Sequence, residues 1–83
     1  MLEEATRRRL RWRCRRGILE LDLLLEAFLE ASYSIISDEE KRVFETILCY
    51  PDSELWGYCF EENLHSDPLI ADVIANIRRT ALP

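Results

Sequence analysis

The chain has 83 residues, 48% hydrophobic and 33% charged, with a formal net charge of -5. That length makes one domain, residues 1–83, which buries only about 60% of the surface its unfolded form exposes. The composition excludes a disordered tail, and the acidic balance argues against a general nucleic-acid binder.

A first helix is predicted over roughly residues 4–15. Leu10 and Cys14 share one of its faces at i, i+4. Trp12 points elsewhere, with Arg8, Arg9, Arg15 and Arg16 as its helical neighbours. Two readings stay open: a tryptophan packed on another helix, or an aromatic-basic contact surface with cation–π contacts. Residues 1–16 hold seven arginines against Glu3 and Glu4, a net +5, whereas the remainder of the chain carries -10.

Gly17 stands where the basic segment meets the most apolar run of the chain. Glycine takes φ > 0 without steric cost, so it suits a position just past a helix end. Arg15 and Arg16 would then occupy the last turn of the first helix, and Glu20 the first turn of the next, each favoured by the helix dipole. The second helix is predicted over about 18–31. Ile18, Leu21, Leu24, Leu25 and Phe28 form its broad apolar face, Leu19, Leu23 and Ala27 add a further row, and Asp22, Glu26 and Glu30 form an acidic stripe. So little polar surface marks a central helix contacted from several sides.

Ser37-Asp38-Glu39-Glu40 reads as a capping box opening a third helix that runs to about Leu48, with Val43, Phe44, Ile47 and Leu48 inward. Pro51 breaks that pattern, and Asp52 is positioned to cap a fourth helix over about 53–61, with Leu55, Trp56, Cys59 and Phe60 inward and Gly57 as a weak point. Asp67 as cap and Pro68 at the first helical position open a fifth helix, with Leu69, Ile70, Val73, Ile74 and Ile77 inward. The expected fold is all-α, a compact bundle of five short helices.

Cys14, Cys49 and Cys59 have no metal-type spacing, and His65 is the lone histidine, so the expectation is free buried thiols in a reducing compartment and no metal site. No run of 18 apolar residues is present to insert in a membrane. The arginine-rich start lacks an apolar segment and a cleavage site, and Glu3 and Glu4 are unlike a transit peptide. A bacterial cytoplasmic location is expected. Catalytic constellations and phosphate-cradling glycine loops are missing, so the chain does not read as an enzyme. Capping and dipole effects account for Arg16, Gly17 and Glu20, but they leave unexplained why charges of both signs crowd an elbow beside an aromatic residue. That setting suits a protein-binding surface with charge-assisted contacts. The alternative is a small regulatory or nucleic-acid-binding protein that uses the arginine-rich helix. The acidic remainder and the lack of a helix-turn-helix pattern count against nucleic acid.

The run Arg9-Leu10-Arg11-Trp12-Arg13-Cys14-Arg15-Arg16-Gly17-Ile18-Leu19-Glu20-Leu21-Asp22 resembles the SdhE (YgfY) family, the succinate dehydrogenase flavinylation factors. The family's Arg-Gly-x-x-Glu motif is matched by Arg16-Gly17-Ile18-Leu19-Glu20, and Ser37–Phe44 and Asp52–Trp56 match further on. The resemblance implies a five-helix assembly factor that is not an enzyme. It would bind the flavoprotein subunit of succinate dehydrogenase or fumarate reductase and promote covalent attachment of FAD, the FAD belonging to that client. Arg16, Gly17 and Glu20 are then the residues that touch the client, to which Arg8, Arg9, Trp12 and Asp22 are added as neighbours.

Overall fold

A computed structural model describes residues 2–61 and 63–80, with side chains described from Glu4 onward. Five helices follow in order: α1 (Leu2–Arg13), α2 (Leu19–Ser32), α3 (Asp38–Ile47), α4 (Asp52–Phe60) and α5 (Pro68–Thr80). The described residues contain no strand.

The capping predictions set the starts of α3 and α5. Ser37 Oγ accepts from the Glu40 N–H at 3.1 Å, and Glu40 Oε1 accepts in return from the Ser37 N–H at 3.1 Å. Asp67 Oδ1 accepts from the Leu69 N–H at 2.9 Å. The start of α4 departs from expectation. Pro51 is its N-cap residue, with no side-chain cap, and Asp52 is already helical. The N–H groups of Glu54 and Leu55 both bond the Pro51 carbonyl at 3.0 Å, which frees the Asp52 carboxylate for a stronger, charged donor.

The end of α1 also differs. The helix stops at Arg13 instead of reaching residue 15, so Arg15 and Arg16 lie beyond its last turn. Cys14 N–H is shared between the carbonyls of Leu10 and Arg11, and Arg15 N–H bonds Trp12 O, a tightening common at helix termini. The next two N–H groups turn away from α1 to a carboxylate described below. Gly17 does take positive φ, at 84°, but inside a connector and not directly past the helix.

Packing places α5 against α2, α3 and α4, while α2 also meets α1 and α4. The core joins Leu10 and Cys14 to Leu21, Leu24, Leu25, Phe28 and Leu29 of α2, Phe44 and Ile47 of α3, Leu55 and Cys59 of α4, and Val73, Ile74 and Ile77 of α5. The Phe28 and Phe44 rings meet at 5.0 Å. Helix α2 is central as expected, yet Leu19 and Leu23 are exposed, because no helix covers that row. The inward face of α4 is narrower than its spacing suggests. Trp56 and Phe60 meet at 4.5 Å with their rings tilted by 42°, outside the core, leaving Leu55 and Cys59 to it. No helix is long and apolar enough to cross a membrane among the described residues.

The expectation of three buried thiols holds for two. Cys49 follows the last turn of α3 and is exposed. Burial pushes the Cys14 thiol up to about 12 and the Cys59 thiol up to about 11. Alkylation of the native protein should therefore label Cys49 alone, with all three reacting once the chain is unfolded, as mass spectrometry can check. Because both buried thiols have raised pKa values, the stability they contribute is complete below about pH 9 and declines as pH rises toward 11. A second test concerns Gly57, buried in α4, where a Cβ would meet only the flexible end of the Asn63 side chain closely, at 2.4 Å. Gly57→Ala should stabilise the protein by up to about 1 kcal/mol, read as a higher thermal midpoint.

Candidate functional site

Residues 14–18 form an elbow between α1 and α2, and one carboxylate shapes it. Asp22, on the first turns of α2, accepts from the Arg16 N–H at 2.6 Å and from the Gly17 N–H at 3.3 Å. Two successive backbone donors aimed at one carboxylate fold the connector back toward α2. Gly17 is needed there for its dihedral alone: a Cβ would meet nothing within 4 Å.

The Arg16 side chain leaves the elbow in the other direction. Helix α3 ends at Ile47, and the carbonyls of Phe44, Thr46 and Ile47 are bonded by the N–H groups of Leu48, Cys49 and Tyr50, whereas those of Leu48 and Tyr50, in the turn before α4, take side-chain donors. Arg16 Nη1 donates to Tyr50 O at 2.9 Å and to Asp52 Oδ1 at 3.2 Å, while Nη2 donates to Leu48 O. The side chain is 14% exposed, and its Nε is buried without a partner among the described residues. An arginine can cap a helix C-terminus in this way, here from more than thirty residues upstream. Tyr50 is braced in turn. Its Oη bonds His65 Nε2 at 3.0 Å, and His65 Nδ1 accepts from the Asp67 N–H at 3.0 Å. Since Nδ1 accepts, Nε2 carries the proton and donates to Tyr50, so the single histidine has a complete structural role.

The arginines of α1 divide by face. Arg9 and Arg13 both reach Glu45 on α3, at 3.5 and 3.7 Å, and Arg13 Nη2 also donates to Glu45 O and to Cys49 Sγ, each at 3.0 Å. With Arg16 they form the i, i+4, i+7 row turned toward α3 and its C-terminal turn. Arg8, Arg11 and Arg15 lie on another face with Trp12 and line a shallow groove of about 220 Å³. Arg11 pairs with Glu30 of α2. Of the four arginines expected around Trp12, only Arg15 stands over its ring, 5.9 Å from the centroid. Arg9 and Arg16 are engaged elsewhere. Trp12 itself is 72% exposed, which decides between its two readings in favour of an open surface.

Each sequence-predicted residue therefore has a definite place. Arg8, Trp12 and Glu20 are exposed on the two helices that flank the elbow; Arg9 is exposed but paired; Arg16, Gly17 and Asp22 build the elbow itself. Glu20, in the first turn of α2, takes part in no ion pair among the described residues, and Arg16, its only basic neighbour in helical reach, points away from it. Sequence reasoning missed that Leu19 and Leu23, 67% and 58% exposed, belong to this surface. A helical projection does set them on the flank of α2 opposite the core, which was the available signal. The two helices that flank the elbow thus expose a carboxylate, cations with no ion pair among the described residues and three large apolar side chains. No nucleophile and base are brought together there among the described residues.

Gly17→Ala tests the elbow. With open space around the Cα, the cost is purely the left-handed penalty, about 1–2 kcal/mol, and Gly17→Asn should cost less because asparagine tolerates that region. Thermal denaturation of the two variants beside the wild type measures the difference.

A family model described as flavinator of succinate dehydrogenase matches residues 8–81. Among curated proteins, the FAD assembly factor SdhE of Shewanella oneidensis is 39% identical over 75 residues, covering 90% of this chain and 92% of that protein. The FAD assembly factor SdhE of Idiomarina loihiensis is 40% identical over 74 residues, 87% and 82% of the two chains. That of Coxiella burnetii is 41% identical over 58 residues, 70% and 71% of the two chains. No solved structure matches the chain significantly.

Proposed function

The chain belongs to the family of succinate dehydrogenase flavinators, and from that premise we propose that it is a FAD assembly factor acting through the elbow. In this reading it binds the flavoprotein subunit of succinate dehydrogenase, or of fumarate reductase, and promotes covalent attachment of the subunit's FAD. The observation that carries the reading is Glu20: an exposed carboxylate with no ion pair among the described residues, on a helix that also exposes Leu19 and Leu23 and across the elbow from a helix that exposes Trp12 and Arg8.

The bond-forming chemistry belongs to the client and its FAD. This chain's residues do not fit a dinucleotide site. Its two glycines are Gly17, committed to the elbow, and Gly57, buried inside α4, so neither opens a loop through which backbone N–H groups reach a pyrophosphate. What the surface supplies is differential affinity. A partner that binds the attachment-competent conformation of the client more tightly than the others raises its population by that difference and no more. Charge steers the encounter, with Arg8 on α1, Arg15 just beyond its end and Glu20 on α2 favouring a client surface of complementary sign. Trp12, Leu19 and Leu23 supply the apolar contact that such an interface buries at its centre. The role is that of a chaperone, not an enzyme, and the location that follows is the bacterial cytoplasm, where the flavoprotein is assembled.

Glu20→Ala separates this function from stability. At an exposed first-turn position the substitution should cost the free protein about 0.3–1 kcal/mol, the scale of a helix-dipole interaction. At a desolvated interface, loss of one partner of a charge pair costs about 2–5 kcal/mol of binding. Covalent flavin on the denatured client, read by fluorescence, should fall far more than the change in thermal midpoint accounts for. Normal flavin attachment by a stable variant would refute the role of Glu20. Loss of activity in proportion to unfolding would make the residue structural.

A further inference from the structure

Within the client-binding reading, on which this step rests, we infer that Arg16 is a positioning residue: it latches the elbow to the turn between α3 and α4, fixes Trp12 and Glu20 relative to one another, and does not itself meet the partner. The guanidinium is spoken for. Its two terminal nitrogens donate to Leu48 O, Tyr50 O and Asp52 Oδ1, and the side chain is 14% exposed. To reach a partner it must leave the two carbonyls at the end of α3 without donors, and an arginine has no second fork to leave behind.

What the latch holds follows from where the contact groups stand. Trp12 and Arg8 lie on α1, while Glu20, Leu19 and Leu23 lie on α2, so a rigid partner must engage two helices at once. Helix α1 packs chiefly on α2, and the connector between them contains a glycine at positive φ with nothing packed on its Cα. That joint is soft. Three side chains give α1 and the elbow a second attachment, to α3 and its C-terminal turn: Arg9 and Arg13 through Glu45, and Arg16 through the three acceptors. Of these, Arg16 is the least exposed, and Asp22 ties its own N–H to α2. Arg16 therefore joins both sides of the elbow to the bundle, and its loss frees the angle between the two sets of contact groups.

The test compares Arg16→Gln, Glu20→Gln, the double variant and Arg8→Gln in binding the purified flavoprotein subunit of succinate dehydrogenase across a salt series. Arg16→Gln should weaken binding by at least about tenfold, equivalent to about 1.4 kcal/mol, chiefly through faster dissociation. The salt dependence of association should stay that of the wild type, whereas Arg8→Gln should flatten it, as loss of a rim charge does. In the Glu20→Gln background the Arg16 substitution should have a much smaller effect, because the group it positions is gone. Partial unfolding would instead multiply through both backgrounds equally. A flattened salt dependence in Arg16→Gln, or full additivity with Glu20→Gln, overturns the inference. Should Arg16→Gln not fold, Arg16→Lys, which keeps the charge and loses the fork, carries the same comparison. Amide exchange on the free protein is the independent arm: Gly17, Cys49 and Tyr50 should exchange at least about tenfold faster in the variant while the α5 amides do not. If the wild type binds no flavoprotein, the client reading fails, and unchanged exchange at those amides overturns the latch on its own.

Discussion

A turn that runs into a proline leaves carbonyls that the backbone around it does not satisfy, and the segment between α3 and α4 is where this molecule meets that constraint. Leu48 O and Tyr50 O receive their donors from Arg16, which belongs to a connector in the first quarter of the chain. Two local problems are solved by one side chain. The C-terminus of α3 gains a cation at the negative end of its dipole, and the elbow gains a fixed attachment. The carboxylate expected to cap α4, that of Asp52, completes the arrangement by facing the guanidinium at 3.2 Å.

A chain with a net charge of -5 that gathers seven arginines in its first sixteen residues invites an electrostatic explanation, yet the arginines do two unlike things. The row of Arg9, Arg13 and Arg16 serves the fold by meeting acceptors on α3 and the turn after it. The row of Arg8, Arg11 and Arg15 surrounds an exposed tryptophan, with one member paired to Glu30. The second row, with Arg7 beside Arg8 and Arg11, remains to attract a partner. It suffices to steer a protein encounter, where a few rim charges set the rate and an apolar centre sets the lifetime.

This division explains which parts of the molecule were legible in the sequence. The helix starts at Ser37 and Asp67 depend on residues two or three apart, so local spacing reveals them. The apolar faces of α2, α3 and α5 are periodic and equally local. The offset of Trp12 from Leu10 and Cys14 leaves its two readings open, and its exposure in the structure decides between them. The partners of Arg16 were not legible, because they lie 32 to 36 residues away and two are backbone oxygens, which carry no sequence signature. For the same reason α1 was drawn two residues too long. Nothing local announces that Asp22 will take the N–H groups of Arg16 and Gly17 from the helix. The exposure of Leu19 and Leu23 was hidden by the habit of reading every leucine on a long apolar helix as covered.

An Arg-Gly-x-x-Glu string thus divides into parts of different physical kind. The arginine is a long-range cap, the glycine a dihedral, and the glutamate a free charge. Only the last is an exposed charge with no ion pair among the described residues, so in the proposed function it is the one of the three placed to add favourable energy to a complex. The other two act by what they prevent. An assembly factor without catalytic groups works only through the difference in its affinity for two client conformations, and a loose surface that re-forms around either conformation has little such difference. Rigidity at the elbow is what turns modest contacts into discrimination. In a domain this small, whose stability is limited by the core it can bury, that rigidity comes from a guanidinium bridging distant backbone, not from additional apolar mass.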